Sequence, residues 1–214
     1  MAVNSKLHIG DSPLFHDATL YQKIFGALQY VTLTHPHIAF VVNKACQFMH
    51  NPTVNQWVVV KHIPRYLKHT QHFHLQVSCS STLLLQVFTD SHWAGSLDDR
   101  KSTSGYAIFL GAAFISWSSK KQCTVARSST ESEYKTLADA AAELTWIQSI
   151  LNELGVRVPK APILGCDNIG AAYLSINPIF HARTKHIELD FHIYYIGYIY
   201  IYILHWITDK YREK

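Results

Sequence analysis

Three acidic residues stand where metal chemistry would need them. Asp90 closes the apolar run of LLLQVFTDSHWAG, Glu133 lies at the start of the helix-forming stretch SSTESEYKTLADAAAEL, and Asp167 closes a second apolar run, APILGCDN. Two acids after strands and one at a helix start can meet in one cleft, because ligands in open sheets gather at strand ends. Three carboxylates suit Mg²⁺ or Mn²⁺, hard cations that prefer oxygen. Metal pairs held in this way cut phosphodiester bonds. Each acid also has an ordinary role. Polar residues after strands start turns, and Thr130 with Glu133, or Ser128 with Glu131, spells a helix capping box.

Helical geometry separates the two glutamates. At about 100° per residue, Glu133 shares a face with Leu137, Leu144, Ile147 and Leu151. Glu131 lies nearly opposite and is expected to point to water. An inward carboxylate needs a partner, which a metal or a hydrogen-bonded network can supply. His92, His181, His186 and His192 form no H-x-x-x-H pair on a clear helix face, which argues against zinc. Arg100, Lys101, Lys120, Lys121, Arg127, Arg183 and Lys185 fall in and around the same segments. With Asn168, beside Asp167, they are the candidate nucleic-acid contacts, since cations beside a carboxylate site would neutralise phosphates.

The elements that must position these residues can be read from periodicity. Residues 17–50 look helical, with Ile24, Leu28 and Val31, then Ile38, Val41, Val42 and Ala45, three or four apart and a break at His35-Pro36. Asn51-Pro52-Thr53 opens a third helix, NQWVVVKHIPRYLKHT. Pro64 inside it costs about 3 kcal/mol, so a kink or a break is expected. The small, polar VSCSST from Val77 to Thr82 reads as a linker. From Leu83 the pattern changes. LLLQVFTD, SGYAIFLG and AAFISWSS read as three strands, Ser128 to Leu154 as one helix closed by Gly155, and APILGC as a fourth strand. IGAAYLSI reads as a short helix, HARTKHIELDFHIYY as another, and GYIYIYILHWI as a fifth strand. The order β-β-β-α-β-α-α-β predicts an α/β layer fold with a mixed sheet over 83–214, preceded by an all-helical segment over 1–80.

The totals bound the partners. The chain has 214 residues, enough for one or two domains with a proper core. A formal charge of +4 and a pI of about 8.8 permit a polyanionic partner without demanding one. Cys46, Cys79, Cys123 and Cys166 lie far apart, with no C-x-x-C pair. That fits a reducing compartment, hence an intracellular protein of the cytoplasm or nucleus. No signal peptide is expected from MAVNSKLHIGDSPLF. The apolar stretch Phe191 to Ile207 is shorter than the about 20 residues a spanning helix needs. Its Tyr/Ile alternation from Tyr198 to Ile203 has strand periodicity, so a buried strand and no membrane span is expected.

Longer motifs carry a resemblance. TDSHWAGSLDDRKSTSGYAIFLG, ISWSSKKQCTVARSSTESEYKTL, CDNIGA and NPIFHARTKHIELDFH resemble the ribonuclease H domain of copia-type retrotransposon polyproteins. LYQKIFGALQYVTLTHPHIAFVVNKACQFMHNPT and VKHIPRYLKHT resemble the tail of the preceding reverse transcriptase. The similarity runs from about Tyr21 to about Thr208. It implies a ribonuclease H-like fold and metal-dependent cleavage of RNA in an RNA–DNA hybrid during reverse transcription. Asp90, Glu133 and Asp167 would be the catalytic acids that hold Mg²⁺ or Mn²⁺. The family's fourth acid is expected after the last strand, where this chain reads HWITDKYREK. Asp209 and Glu213 stand there, neither clearly in register. The aspartate pair of the reverse transcriptase site is absent, so polymerase activity is not expected. His35-Pro36-His37 replaces the family's usual Arg-Pro-Asp. These departures describe a diverged copy lacking the last helix, with weakened hydrolysis or, alternatively, nucleic-acid binding alone.

Overall fold

The computed structural model describes residues 12–73, 75–77, 82–176 and 200–203. Two compact units emerge. One comprises residues up to 76 together with 94–103 and 119–125; the other comprises 77–93, 104–118 and the chain from 126 onward.

The first unit is built on three helices, α1 (Ala18–Val31), α2 (Ala39–Cys46) and α3 (Val54–His69), with a 3₁₀ turn at Pro36–Ile38. Asp17 caps α1 by accepting from the Leu20 N–H at 2.8 Å. Thr53 and Gln56 form a reciprocal capping box at the start of α3. The apolar spacing read from the sequence becomes the core: Tyr21, Phe25, Leu28, Ile38, Val42, Val60 and Ile63 are buried together. The Tyr21 hydroxyl donates to the Ala45 carbonyl at 2.9 Å, which satisfies a polar atom carried inside. Of the kink or break expected at Pro64, the break does not occur. The helix continues to His69 with the proline ring exposed, while Val60 and Ile63 hold its inner face in the core.

The second unit is a five-stranded sheet with two described helices. Its elements are β1 (Leu85–His92), β2 (Thr103–Leu110), β3 (Ala113–Lys121), α4 (Ser129–Glu153), β4 (Ile163–Cys166), α5 (Ile169–Ile176) and β5 (Tyr200–Ile203), with sheet order β3-β2-β1-β4-β5; Thr103 and the last three residues of β3 count with the first unit. A two-residue turn, Gly111-Ala112, joins β2 to β3, with Gly111 at φ 60°. Only antiparallel neighbours accept so short a connection, and glycine supplies the positive φ. β1, β4 and β5 run parallel, in register at Val87↔Leu164 and Leu164↔Ile201. This is the mixed α/β sheet predicted from the sequence, and its described elements follow one another along the chain as predicted. The helix expected over HARTKHIELDFHIYY lies outside the described residues, as do Arg183 and Lys185. Of the Tyr/Ile run, Tyr200–Ile203 forms the edge strand beside β4. Among the described residues, no helix is long and apolar enough to cross a membrane.

The crossover helix α4 supplies half of this unit's buried core among the described residues. Tyr134, Leu137, Ala141 and Leu144 pack on Leu85, Val87, Ile108 and Leu164 of the sheet. Each large side chain so buried contributes roughly 1.5–3 kcal/mol. The helix stops where Gly155 turns left-handed at φ 73°. Gly155 N–H donates to Asn152 O and Val156 N–H to Leu151 O, the paired bonds of a Schellman cap.

Candidate metal centre

The acids are brought together by two parallel strands and the helix that crosses between them. β1 and β4 are neighbours in register at Phe88↔Gly165. Continued by two residues, that register runs from Asp90 to Asp167, so both acids sit at the same end of the sheet. α4 begins above this end. The Ser91 backbone N–H donates to Glu133 Oε1 at 2.9 Å, and the hydroxyls of Ser91 and Ser132 are bonded to each other. The first turn of α4 is therefore tied to the end of β1. Ligand atoms of Glu133, Cys166 and Asp167 all lie within 4.8 Å of one another.

Glu133 carries the strain of this arrangement. It is 5% exposed, and its Oε2 is buried with no hydrogen-bond partner. Burial, then the charge of Asp167, pushes its carboxyl up to about 7. The Ser91 N–H works in the opposite direction, and Asp90 adds a further upward push. Asp90 and Asp167 themselves are exposed. Glu133 thus keeps one buried carboxylate oxygen without a partner and Asp167 offers an accessible carboxylate, while Asp90 is not among the ligand atoms that lie within 4.8 Å of one another. An oxygen-rich site of this kind fits a hard divalent cation.

Glu131 departs from its expected place. It is not turned to water but is as buried as Glu133, also at 5%. The reason lies at the helix start. Ser128 is the N-cap and accepts from the Glu131 N–H at 3.1 Å, while Arg127 N–H donates to Glu131 Oε2 at 2.8 Å. Lys135, one turn on, bonds Glu131 Oε1 at 2.7 Å. Of the two capping registers read from the sequence, the Ser128–Glu131 one forms. The two-faced pattern fails here because the first half of α4 is enclosed on more than one side: Ser132, Thr136 and Ala140 are buried along with the leucine face.

Two neighbours escaped the sequence reading. Cys166 is fully buried beside Glu133 and Asp167, and burial above all pushes its thiol up to about 11. Its only sequence signal was adjacency to Asp167. Trp93 follows β1, and its indole N–H donates to Ala126 O at 3.1 Å, holding the approach to α4 against the strand end.

The candidate nucleic-acid contacts divide. Asn168 is the cap of α5: its Oδ1 accepts from Ala171 N–H at 3.0 Å. Gly170 next to it allows α5 to approach α4, since a Cβ there would lie 3.0 Å from Thr130 Cγ2. Arg127 is exposed. Arg100, Lys101, Lys120 and Lys121 belong to the helical unit's share of the chain. There Asp99 bonds Lys121 at 2.9 Å and meets Lys101 at 3.8 Å. Arg100 and Lys120 are exposed, Arg100 at a left-handed φ of 55°.

No protein-family model matches the chain. It is 45% identical to the retrovirus-related Pol polyprotein from transposon RE2 of Arabidopsis thaliana over 192 residues, which cover 90% of this chain and 13% of that protein. It is 39% identical to the corresponding polyprotein from transposon TNT 1-94 of Nicotiana tabacum over 173 residues, 80% of this chain and 13% of that one. Among solved structures, a ribonuclease H1 isolated from compost covers 61% of this chain and 90% of its own at a TM-score of 0.37 and 11% identity. The chain therefore spans about 13% of the length of the curated polyproteins it matches. The motifs TDSHWAG, STESEY and CDN lie within a similarity that extends over nearly the whole chain, and as a segment the protein belongs to the retrovirus-related Pol polyproteins of copia-type transposons.

Proposed function

We propose that this ribonuclease H-like segment hydrolyses the RNA strand of an RNA–DNA hybrid with the help of Mg²⁺ or Mn²⁺. One observation carries the reading: Glu133 keeps a buried carboxylate oxygen without a partner, beside Asp167. A buried charge of that kind is costly unless something pairs with it. Asp90, Glu133 and Asp167 would hold the cation, and a bound divalent ion supplies positive charge that polarises the phosphate and makes water a better nucleophile.

The chain's own residues set the stage for this. Ser91 fixes the rotamer of Glu133 through its backbone N–H. Asn168 caps α5 and so fixes the turn that presents Asp167. Arg100, Lys120 and Arg127 are exposed cations suited to phosphate contacts. The 2′-hydroxyl is the group by which such a site would tell RNA from DNA.

The test is cleavage of an end-labelled RNA–DNA hybrid by the wild-type chain, Asp90→Asn and Glu133→Gln, each with Mg²⁺ and with Mn²⁺. Metal-dependent loss of the RNA strand alone is expected. Each variant should fall by roughly a hundredfold or more, since the charge stabilisation involved is worth several kcal/mol. Unchanged cleavage in both variants would refute the assignment.

A second reading is hybrid binding without hydrolysis. It is favoured by the close group of ligand atoms being Glu133, Cys166 and Asp167, without Asp90. It predicts retained binding in Asp90→Asn and no cleavage with either metal.

A further inference from the structure

The close group at the sheet end is not an all-oxygen set. Its third member is sulfur: Cys166 Sγ lies within 4.8 Å of the carboxylate oxygens of Glu133 and Asp167. The cysteine is fully buried, so its thiol has no water to exchange with. Its sulfur already serves as an acceptor, taking the Asn168 N–H at 3.3 Å. Glu133 Oε2 is buried in the same place without a hydrogen-bond partner. Asp167 is exposed and forms the open side through which an ion can arrive.

We propose that Glu133, Cys166 and Asp167 form a mixed oxygen–sulfur site for a thiophilic divalent cation of the Zn²⁺, Co²⁺ or Cd²⁺ class, with the Cys166 sulfur as a ligand. Softness decides the class. Thiolate selects such metals, whereas Mg²⁺ gains little from sulfur. A coordinating thiol is deprotonated outright by the metal. As the metal–sulfur bond forms, the Cys166 proton passes to buffer and no electron is transferred. Two carboxylates and one thiolate then face a charge of two. With metal–sulfur near 2.3 Å and metal–oxygen near 2.0–2.2 Å, tetrahedral ligands stand about 3.5 Å apart. Closing from the present spread takes small side-chain shifts, and the fourth position stays open to solvent beside Asp167. Such an ion would occupy the place of Mg²⁺ or Mn²⁺ and so inhibit hydrolysis. That consequence rests on the proposed function; the binding itself does not.

The test is titration of the full chain with Cd²⁺ in a thiol-free reductant, following the sulfur-to-metal charge-transfer absorption in the ultraviolet. The wild type and Cys123→Ser, which removes an exposed cysteine, are expected to show the band at one ion per chain. Cys166→Ser should lose it. Asp167→Asn, at an exposed position that leaves the core intact, should weaken the Cd²⁺ Kd by at least about tenfold, since even outer partners of a ligand are worth that much. This variant decides the matter if Cys166→Ser does not fold. No band in the wild type, an undiminished band in folded Cys166→Ser, or an unchanged Kd in Asp167→Asn would overturn the proposal. A clear band without any Mg²⁺- or Mn²⁺-dependent cleavage would sink the hydrolytic reading and leave this one standing. Cleavage without a band would do the reverse.

Discussion

The backbone N–H of Ser91 donates to Glu133 Oε1 at 2.9 Å, while the other oxygen of the same carboxylate is buried without a partner. One bond orients the acid and leaves its other oxygen unmet. A carboxylate held this way is destabilising by itself, and under the proposed function a bound cation would offset that cost. Stability and the proposed function therefore oppose each other at this residue.

The opposition is measurable as a pH dependence. Glu133 has its folded pKa raised from 4.5 to about 7, chiefly by burial and then by Asp167. A carboxyl raised on folding binds its proton more tightly in the folded state. The stability this contributes is complete below about 4.5 and is lost as pH rises through about 7. In chelator, urea unfolding of the wild type should weaken across that window by on the order of 2–3 kcal/mol. Glu133→Gln should flatten the window and be the more stable protein at pH 8. A wild type equally stable at pH 4.5 and pH 8, after subtraction of the Glu133→Gln profile, would contradict the assignment.

Gly170 sits where the starts of α5 and α4 meet. A Cβ there would lie 3.0 and 3.1 Å from the Thr130 side chain and 3.2 Å from Asn168 Oδ1. Gly170→Ala should cost about 1 kcal/mol, the lower range for overpacking. Thr130→Ala removes the two nearest atoms. Chemical denaturation of the four members of this cycle should show the cost of Gly170→Ala largely disappearing in the Thr130→Ala background.

Asp99 restrains two of the candidate phosphate-binding lysines. Partial burial raises its pKa, but hydrogen bonds from Ser96, Lys121 and the Lys101 backbone, with the Lys121 charge, outweigh that and bring it down to about 2. It therefore stays ionised at any ordinary pH. Asp99→Asn should release Lys121 and Lys101, tighten hybrid binding, and steepen the dependence of log K on log salt by up to about two units of slope. The effect on folding should stay within about 1 kcal/mol, because Asp99 is exposed and its lysine partners are only half-buried. Fluorescence anisotropy at three or four salt concentrations would check it, and a slope unchanged from wild type would exclude these lysines from phosphate contact.

Leu137 is fully buried between α4 and the sheet. Leu137→Ala should destabilise by 2–5 kcal/mol, about the range for buried leucines. Glu131→Gln, which keeps the shape but removes the charge that Lys135 pairs with, should cost about 1 kcal/mol. Thermal unfolding of both variants would rank them.

Much of the architecture was legible without coordinates because local rules carried it. The change of apolar period near Leu83 separates helices from strands, and side chains must follow the period of the element they lie on. Gly155 closes α4 as expected because a left-handed residue is the cheapest way to satisfy the last carbonyls. The family was legible for a different reason: TDSHWAGSLDDRKSTSGYAIFLG and ISWSSKKQCTVARSSTESEYKTL are long enough words to be distinctive. Helical periodicity also turned Glu133 inward, as found.

Glu131 was misjudged for a local reason: its carboxylate folds back on the Arg127 N–H and pairs with Lys135 at the helix start, which the face rule does not include. What the tertiary structure decided is what depends on two distant segments meeting. Pro64 could be expected to break α3, yet core packing at Val60 and Ile63 carries the helix through. Cys166 became a member of the site only because β4 lies beside β1 in parallel and α4 returns across both. The sequence by itself determined which residues could be ligands and on which elements they lie. The meeting of Glu133 with Cys166 and Asp167, and the missing partner of one carboxylate oxygen, follow from strand register and burial, which are long-range properties that no local pattern encodes.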